Sequence, residues 1–348
     1  MTTPGGPAPL DQSAPVTLSA WAVEDADLEA LGMDSVNPSP TELMDFCRAA
    51  LGALAVRVEE VTLVIAGDFI KSVKSRLPAG AYRDAFDVDR GAGTVGAKTM
   101  RVGGEIHVIF PAWLFLDSTW ARATLSPEEA ERITSTAESR AGQVRRTVVH
   151  EAQHVAMDQA GEDNQDFGNV PWVRQNFLVV AHQVIAEYRA ELGVPNNLRE
   201  SYEADFPVES LDHLREDLRR ITTVEYQSHL NVERLAYDVV QQSHHAWKML
   251  AYVAAARRIA GVGIGEPFPT EMTRTEAWTL MAEPHWGAFE ELLSRIPSGG
   301  VRVAAADLSA WTAELADLLV AWLQTYGFVW RDVGADSEFL IESWELFV

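Results

Sequence analysis

The sequence predicts an α+β protein that is predominantly helical, with a small N-terminal sheet followed by helices. Three observations carry this expectation. β-Branched alternation is confined to the first 116 residues, helical spacing dominates from Ser126 onward, and Gly/Pro clusters near 195–197, 261–265 and 297–300 cut the helical part into segments. The 348 residues, 47% of them hydrophobic, suffice for one large or two ordinary domains.

Residues 1–20 are rich in Pro, Thr, Gly and Ser and lack both a basic start and a long apolar stretch, so they read as a flexible tail rather than an export signal. Pro40-Thr41-Glu42 opens a helix running toward Leu54, and Val58 to Ile70 reads as a strand. Residues 81–116 supply two more strands. Gly91, Gly93 and Gly96 spell GxGxxG, but no strand–helix–strand unit surrounds them, so the stretch reads as a loop and not a nucleotide site. Pro127, Glu128 and Glu129 after Ser126 mark a helix start, and helices are expected over 126–160, 174–193, 208–260, 272–296 and 305–325. The expected division is a tail (1–20), a metal-binding domain (21–195) and a helical subdomain (196–348). The 11 Trp are scattered, which suits packing within and between these parts.

Charge and cysteine usage narrow the function. With 28 basic against 51 acidic residues and a formal charge of −23, the chain lacks the positive surface that nucleic acid requires. No run approaches the roughly 18 apolar residues of a membrane span. Cys47 is alone, which excludes an internal disulfide or a Cys-rich metal site, and its surroundings suit packing. Together these features favour a soluble, cytoplasmic protein.

Chemistry concentrates at His150-Glu151-Ala152-Gln153-His154, an HExxH pattern. Side chains four apart on a helix lie about 40° from each other, so both histidines can address one ion, with Glu151 beside it to hold a water and take its proton. Val144, Val148, Ala152, Val155 and Ala156 fall at helical spacing around them, and Gly161 provides a stop. A third ligand is needed. Position 160 is Ala, and positions 173 and 174 are Val and Arg, which excludes the shorter-spaced zinc arrangements. The remaining candidates are Glu187, Glu191 one turn later, and His182. His182 and Glu187 stand about 140° apart round a helix, so they are alternatives. A three-His site suits iron as readily as zinc.

Glu187-Tyr188-Arg189-Ala190-Glu191 resembles the ExxA(D/E) element of gluzincin metallopeptidases. The resemblance implies a zincin-like unit in which Glu187 is the third zinc ligand and Glu191 supports a ligand histidine through a hydrogen bond. The segment Gly103–Leu114, with its Gly-Gly turn and strand-like pattern, resembles the edge strand before the active-site helix in the HtpX/CAAX-protease and ImmA/IrrE groups. That likeness implies that residues 105–110 align an extended peptide over the metal. It covers about residues 103–194. The chain departs from the membrane-bound members in lacking spanning helices, and from typical members in a charged insertion over 117–140.

The resemblance therefore implies a zinc metallopeptidase acting on a peptide or protein, with His150, His154 and Glu187 on zinc and Glu151 activating water. Two other readings stand beside it. One is an HExxH metalloenzyme that modifies a peptide or small molecule with the same constellation, iron being open to it as well as zinc; the downstream Ala181-His182 is similar to a group of HExxH proteins associated with peptide modification. The other is a regulatory protein on the same scaffold without catalysis. Tyr226, His229, His244 and His245 are candidates for stabilising an oxyanion, and Tyr188 for supporting the ligand shell.

Overall fold

Four strands form a sheet in the order β1-β2-β4-β3: β1 (Trp21–Glu24), β2 (Val61–Ala66), β3 (Lys98–Val102) and β4 (Glu105–Pro111). The computed structural model describes residues 16–80, 83–84, 86–87, 96–163, 165–199, 208–269 and 273–347. β1 and β4 both run parallel to β2, with Leu63 opposite Trp21 and Val108. β3 and β4 form an antiparallel hairpin, Val102 opposite Glu105, across a turn that Gly103 makes at φ 63°. Helix α1 (Glu42–Leu54) connects β1 to β2, and α2 (Phe69–Arg76) follows β2. One face of the sheet packs on α1 through Ile106, Val108 and Phe110, while Ile109 and Val64 meet Phe69 and Val73 of α2 on the other. Burial on both faces explains the nearly continuous apolar runs of β2 and β4.

The chain then becomes helical: α3 (Ser118–Thr124), α4 (Pro127–Ser135), α5 (Ala137–Gln159), α6 (Trp172–Leu192), α7 (Val208–Arg220), α8 (Val232–Ile259), α9 (Glu283–Ser294) and α10 (Ala305–Thr325). The chain is thus α+β and mostly helical. It closes with a hairpin of β5 (Phe328–Val333) and β6 (Asp336–Ile341). No described helix is long and apolar enough to cross a membrane.

Several expectations need correction. The strand expected over 58–70 is confined to Val61–Ala66, because Asp68 accepts a hydrogen bond from the Lys71 amide and starts α2. Gly67 permits that junction, since a Cβ there would stand 1.8 Å from the Asp25 carbonyl oxygen. The charged insertion folds into α3 and α4, begun by Asp117 and by a capping box of Ser126 with Glu129. Thr136 separates α4 from α5, so 126–160 is two helices. The span 208–260 breaks at Leu230, held at φ 52°, after which Asn231 caps α8. Residues 105–110 are not an edge: β4 is paired on both sides, and the edges of the sheet are β1 and β3. The C-terminal hairpin was not anticipated among helices; Phe328 and Trp330 tuck it into the helical core. Of the tail, residues 1–15 lie outside the described residues, but Leu18 is fully buried and its amide bonds the Arg48 carbonyl. Gly91 and Gly93 of the GxGxxG loop also lie outside the described residues.

Two large apolar cores result, beside the small cluster between the sheet and α2. The first joins the sheet and α1 to Val144, Val148, Ala152 and Val155 of α5, and the second joins α6 to α7, α8, α9, α10 and the hairpin. Helices α5 and α6 present their apolar faces to different cores. Their polar faces meet between them, where the histidines lie.

Candidate metal centre

The apolar stripe of α5 packs under the sheet and turns His150 and His154 toward α6. Close approach of the two helices is helped by Gly193 at the end of α6, where a Cβ would lie 2.1 Å from the Gln153 side-chain Cδ. Gln153, inside the HExxH motif, also accepts a hydrogen bond from the Gly300 amide at 2.5 Å. The residue between the two histidines therefore fastens α5 to the loop after α9.

His150 Nε2 and His154 Nε2 lie 3.2 Å apart, and Glu187 Oε2 stands 3.3 Å from the first and 3.8 Å from the second. Metal bonds of about 2.0–2.1 Å at tetrahedral angles place neighbouring ligand atoms about 3.3–3.4 Å apart. The triangle has the size of one face of such a tetrahedron. Among the described residues, these three form the single group of His, Cys, Asp or Glu side chains whose ligand atoms converge in this way.

Charge at the centre favours a cation. Burial works against protonation of His150, but the carboxylates of Glu187 and Glu191 outweigh it and push its pKa up to about 10. Glu191 Oε2 lies 2.9 Å from His150 Nδ1, which anchors that side of the ring and leaves Nε2 as the atom that faces the triangle. Burial alone would raise the Glu191 pKa; the bond to His150 and the charges of Arg199 and Arg146 instead hold it at about 2. Arg146 and Arg199 reach Glu191 Oε1 at 3.0 and 2.6 Å.

Glu187 is gripped from α8. Lys248 Nζ donates to its Oε1 at 2.9 Å and the Tyr252 hydroxyl to its Oε2 at 2.5 Å. Burial again opposes ionisation, yet Lys248 and the two histidines keep the Glu187 carboxylate well below its usual range. The Tyr252 ring meets that of His150 edge-on, with centroids 5.7 Å apart. Glu151 is buried, and its Oε2 accepts a hydrogen bond from Thr99 Oγ1 on edge strand β3 at 2.6 Å. The triangle, Glu151, Thr99, Lys248 and Tyr252 line one cavity of about 850 Å³ between β3, α5, α6 and α8.

The structure sorts the other candidates. Glu191 touches His150 from behind rather than joining the triangle. His182 lies in the cavity wall but outside the triangle; both of its ring nitrogens are buried without hydrogen-bond partners, and burial pushes its pKa down to about 4. His244 and His245 line the cavity, whereas Tyr226 and His229 do not. Tyr188 points into the helical core and accepts a hydrogen bond from Arg258, so it does not support the ligands.

Sequence reasoning missed Thr99, Arg146, Arg199, Lys248 and Tyr252. A signal for the last two exists: Gln241, His245, Lys248 and Tyr252 recur at helical spacing as a polar file on a helix with an otherwise apolar buried face. Arg146 stands one turn before His150. Thr99 carries no comparable mark. Set against known proteins, the chain matches no family model, no curated protein and no solved structure.

Proposed function

We propose that this chain is a metal-dependent hydrolase, with His150, His154 and Glu187 as zinc ligands and a peptide as substrate. The observation that carries the reading is the convergence of Nε2, Nε2 and Oε2 at tetrahedral-edge distances, with the ionisable Glu151 in the same cavity. Two imidazoles and one carboxylate suit zinc, which when bound supplies Lewis acidity and makes an attached water acidic near neutral pH.

The chain's own residues do the rest. Glu151 takes a proton from the attacking water and delivers it to the leaving amine, and Thr99 orients the carboxylate for both steps. Glu191 fixes the ring of His150. The outer edge of β3, from Lys98 to Arg101, borders the cavity and offers backbone donors and acceptors to an extended chain, which favours a peptide. In this reading β3 takes the aligning role that the sequence resemblance assigned to residues 105–110.

Metal analysis of the purified protein, followed by peptide-library cleavage with and without chelator, tests the proposal. Cleavage should require about one zinc per chain and should vanish in Glu151→Gln while zinc stays bound. Undiminished cleavage by Glu151→Gln would rule out this mechanism.

A further inference from the structure

A carboxylate can ligate a divalent metal through one oxygen or through both, and the choice decides whether an ion that also holds a water has four neighbours or five. The two oxygens of Glu187 have different surroundings. Oε2 faces His150 and His154 at 3.3 and 3.8 Å, whereas Oε1 accepts a hydrogen bond from Lys248 at 2.9 Å. Lys248 comes from a separate helix whose placement does not depend on the ligands, because its neighbours Trp247, Leu250 and Ala251 are buried in the second core. One turn later Tyr252 holds Oε2 at 2.5 Å, so rotating the carboxylate would break both bonds together.

We infer that Lys248 is a positioning residue that confines Glu187 to ligation through Oε2 and thereby holds a metal that also binds water at four neighbours rather than five. This rests on the metal-site reading above. The ammonium occupies a lone pair of Oε1 and so opposes its closing onto the ion. Its charge also offsets that of the carboxylate without displacing it from the triangle. An arginine at the same position supplies comparable donors, whereas a methionine of similar length supplies none.

Cobalt(II) reports coordination number directly, because four-coordinate sites absorb visible light several-fold more strongly than five- or six-coordinate ones. Titrated with cobalt alone, the wild-type chain should give the intense four-coordinate spectrum. Lys248→Met should still take up one cobalt, but with absorption several-fold weaker and moved to shorter wavelength, and Lys248→Arg should restore the wild-type spectrum. A wild-type spectrum in folded Lys248→Met overturns the inference while leaving the metal site standing. Failure of the wild type to bind cobalt removes the metal reading and the inference with it. X-ray absorption of zinc-loaded wild type needs no variant: about four nitrogen or oxygen neighbours support single-oxygen ligation, and five or more overturn it.

Discussion

Helix α6 carries two charged groups two residues apart, the half-buried Glu187 in the triangle with the histidines and the buried Arg189 in the helical part, and their surroundings are built in opposite ways. Arg189 is 1% exposed, pairs with Glu162 at 2.6 Å and donates to the carbonyls of Pro297 and Val301. Glu162 in turn accepts the Val303 amide at 2.6 Å. Donors meet acceptors throughout, and the cluster ties the 297–303 loop to α6. Around Glu187 a carboxylate oxygen and two imidazole nitrogens face a common centre instead. A cluster in which every donor meets an acceptor holds the fold, while one whose ligand-type atoms converge on a point is able to hold a cation.

The sharpest way to break this contrast is to remove one member of each cluster. Arg189→Met leaves Glu162 buried without its counter-ion and should cost about 3–5 kcal/mol of unfolding free energy, read by chemical denaturation, while the folded fraction still takes up zinc. Glu187→Gln should reverse the pattern, with stoichiometric zinc uptake lost and metal-free stability changed much less. If Arg189→Met abolished metal binding in a still-folded chain, the separation of the two clusters would be wrong.

Smaller changes sharpen it. Glu191→Gln removes the charge behind His150 and should weaken zinc binding by roughly 10–100-fold in a chelator-competition titration. Thr99→Val should leave zinc affinity unchanged and lower peptide turnover by about 10-fold, the loss of a single hydrogen bond to a charged acceptor. The smallest effect belongs to a third kind of cluster, at the surface. Arg76 holds the Glu24 carboxyl below its ordinary range, so this pair adds stability above the unfolded-state value near 4.5 and loses it as pH falls through the lower folded value. Partial exposure limits the contribution to under about 1 kcal/mol, seen as the part of the acid-side decline in stability that Glu24→Gln removes.

Legibility followed the range of the interactions. The pairing of His150 with His154, the apolar stripe of α5 and the bounds of α10 depend on neighbours within two turns, and helical periodicity displays them. The hairpin of β3 and β4 shows the opposite case. Glu105–Pro111 has the more strand-like composition because it is central and buried, while β3, at an edge of the sheet, carries Lys98 and Arg101, polar residues that a strand bordered by solvent accommodates. Lys248 and Tyr252 meet Glu187 across 61 and 65 residues, and Thr99 meets Glu151 across 52. No local pattern encodes such contacts.

By itself, the sequence determined a helix presenting two histidines and a glutamate, a later helix offering Glu187 and Glu191, and the competing His182. Only the tertiary structure shows which of these three converges with the histidines. The apolar faces of α5 and α6 belong to different cores, and burying each one sets the rotation of its helix. That rotation turns Glu187 toward the histidines, places Glu191 behind His150 and leaves His182 in the cavity wall.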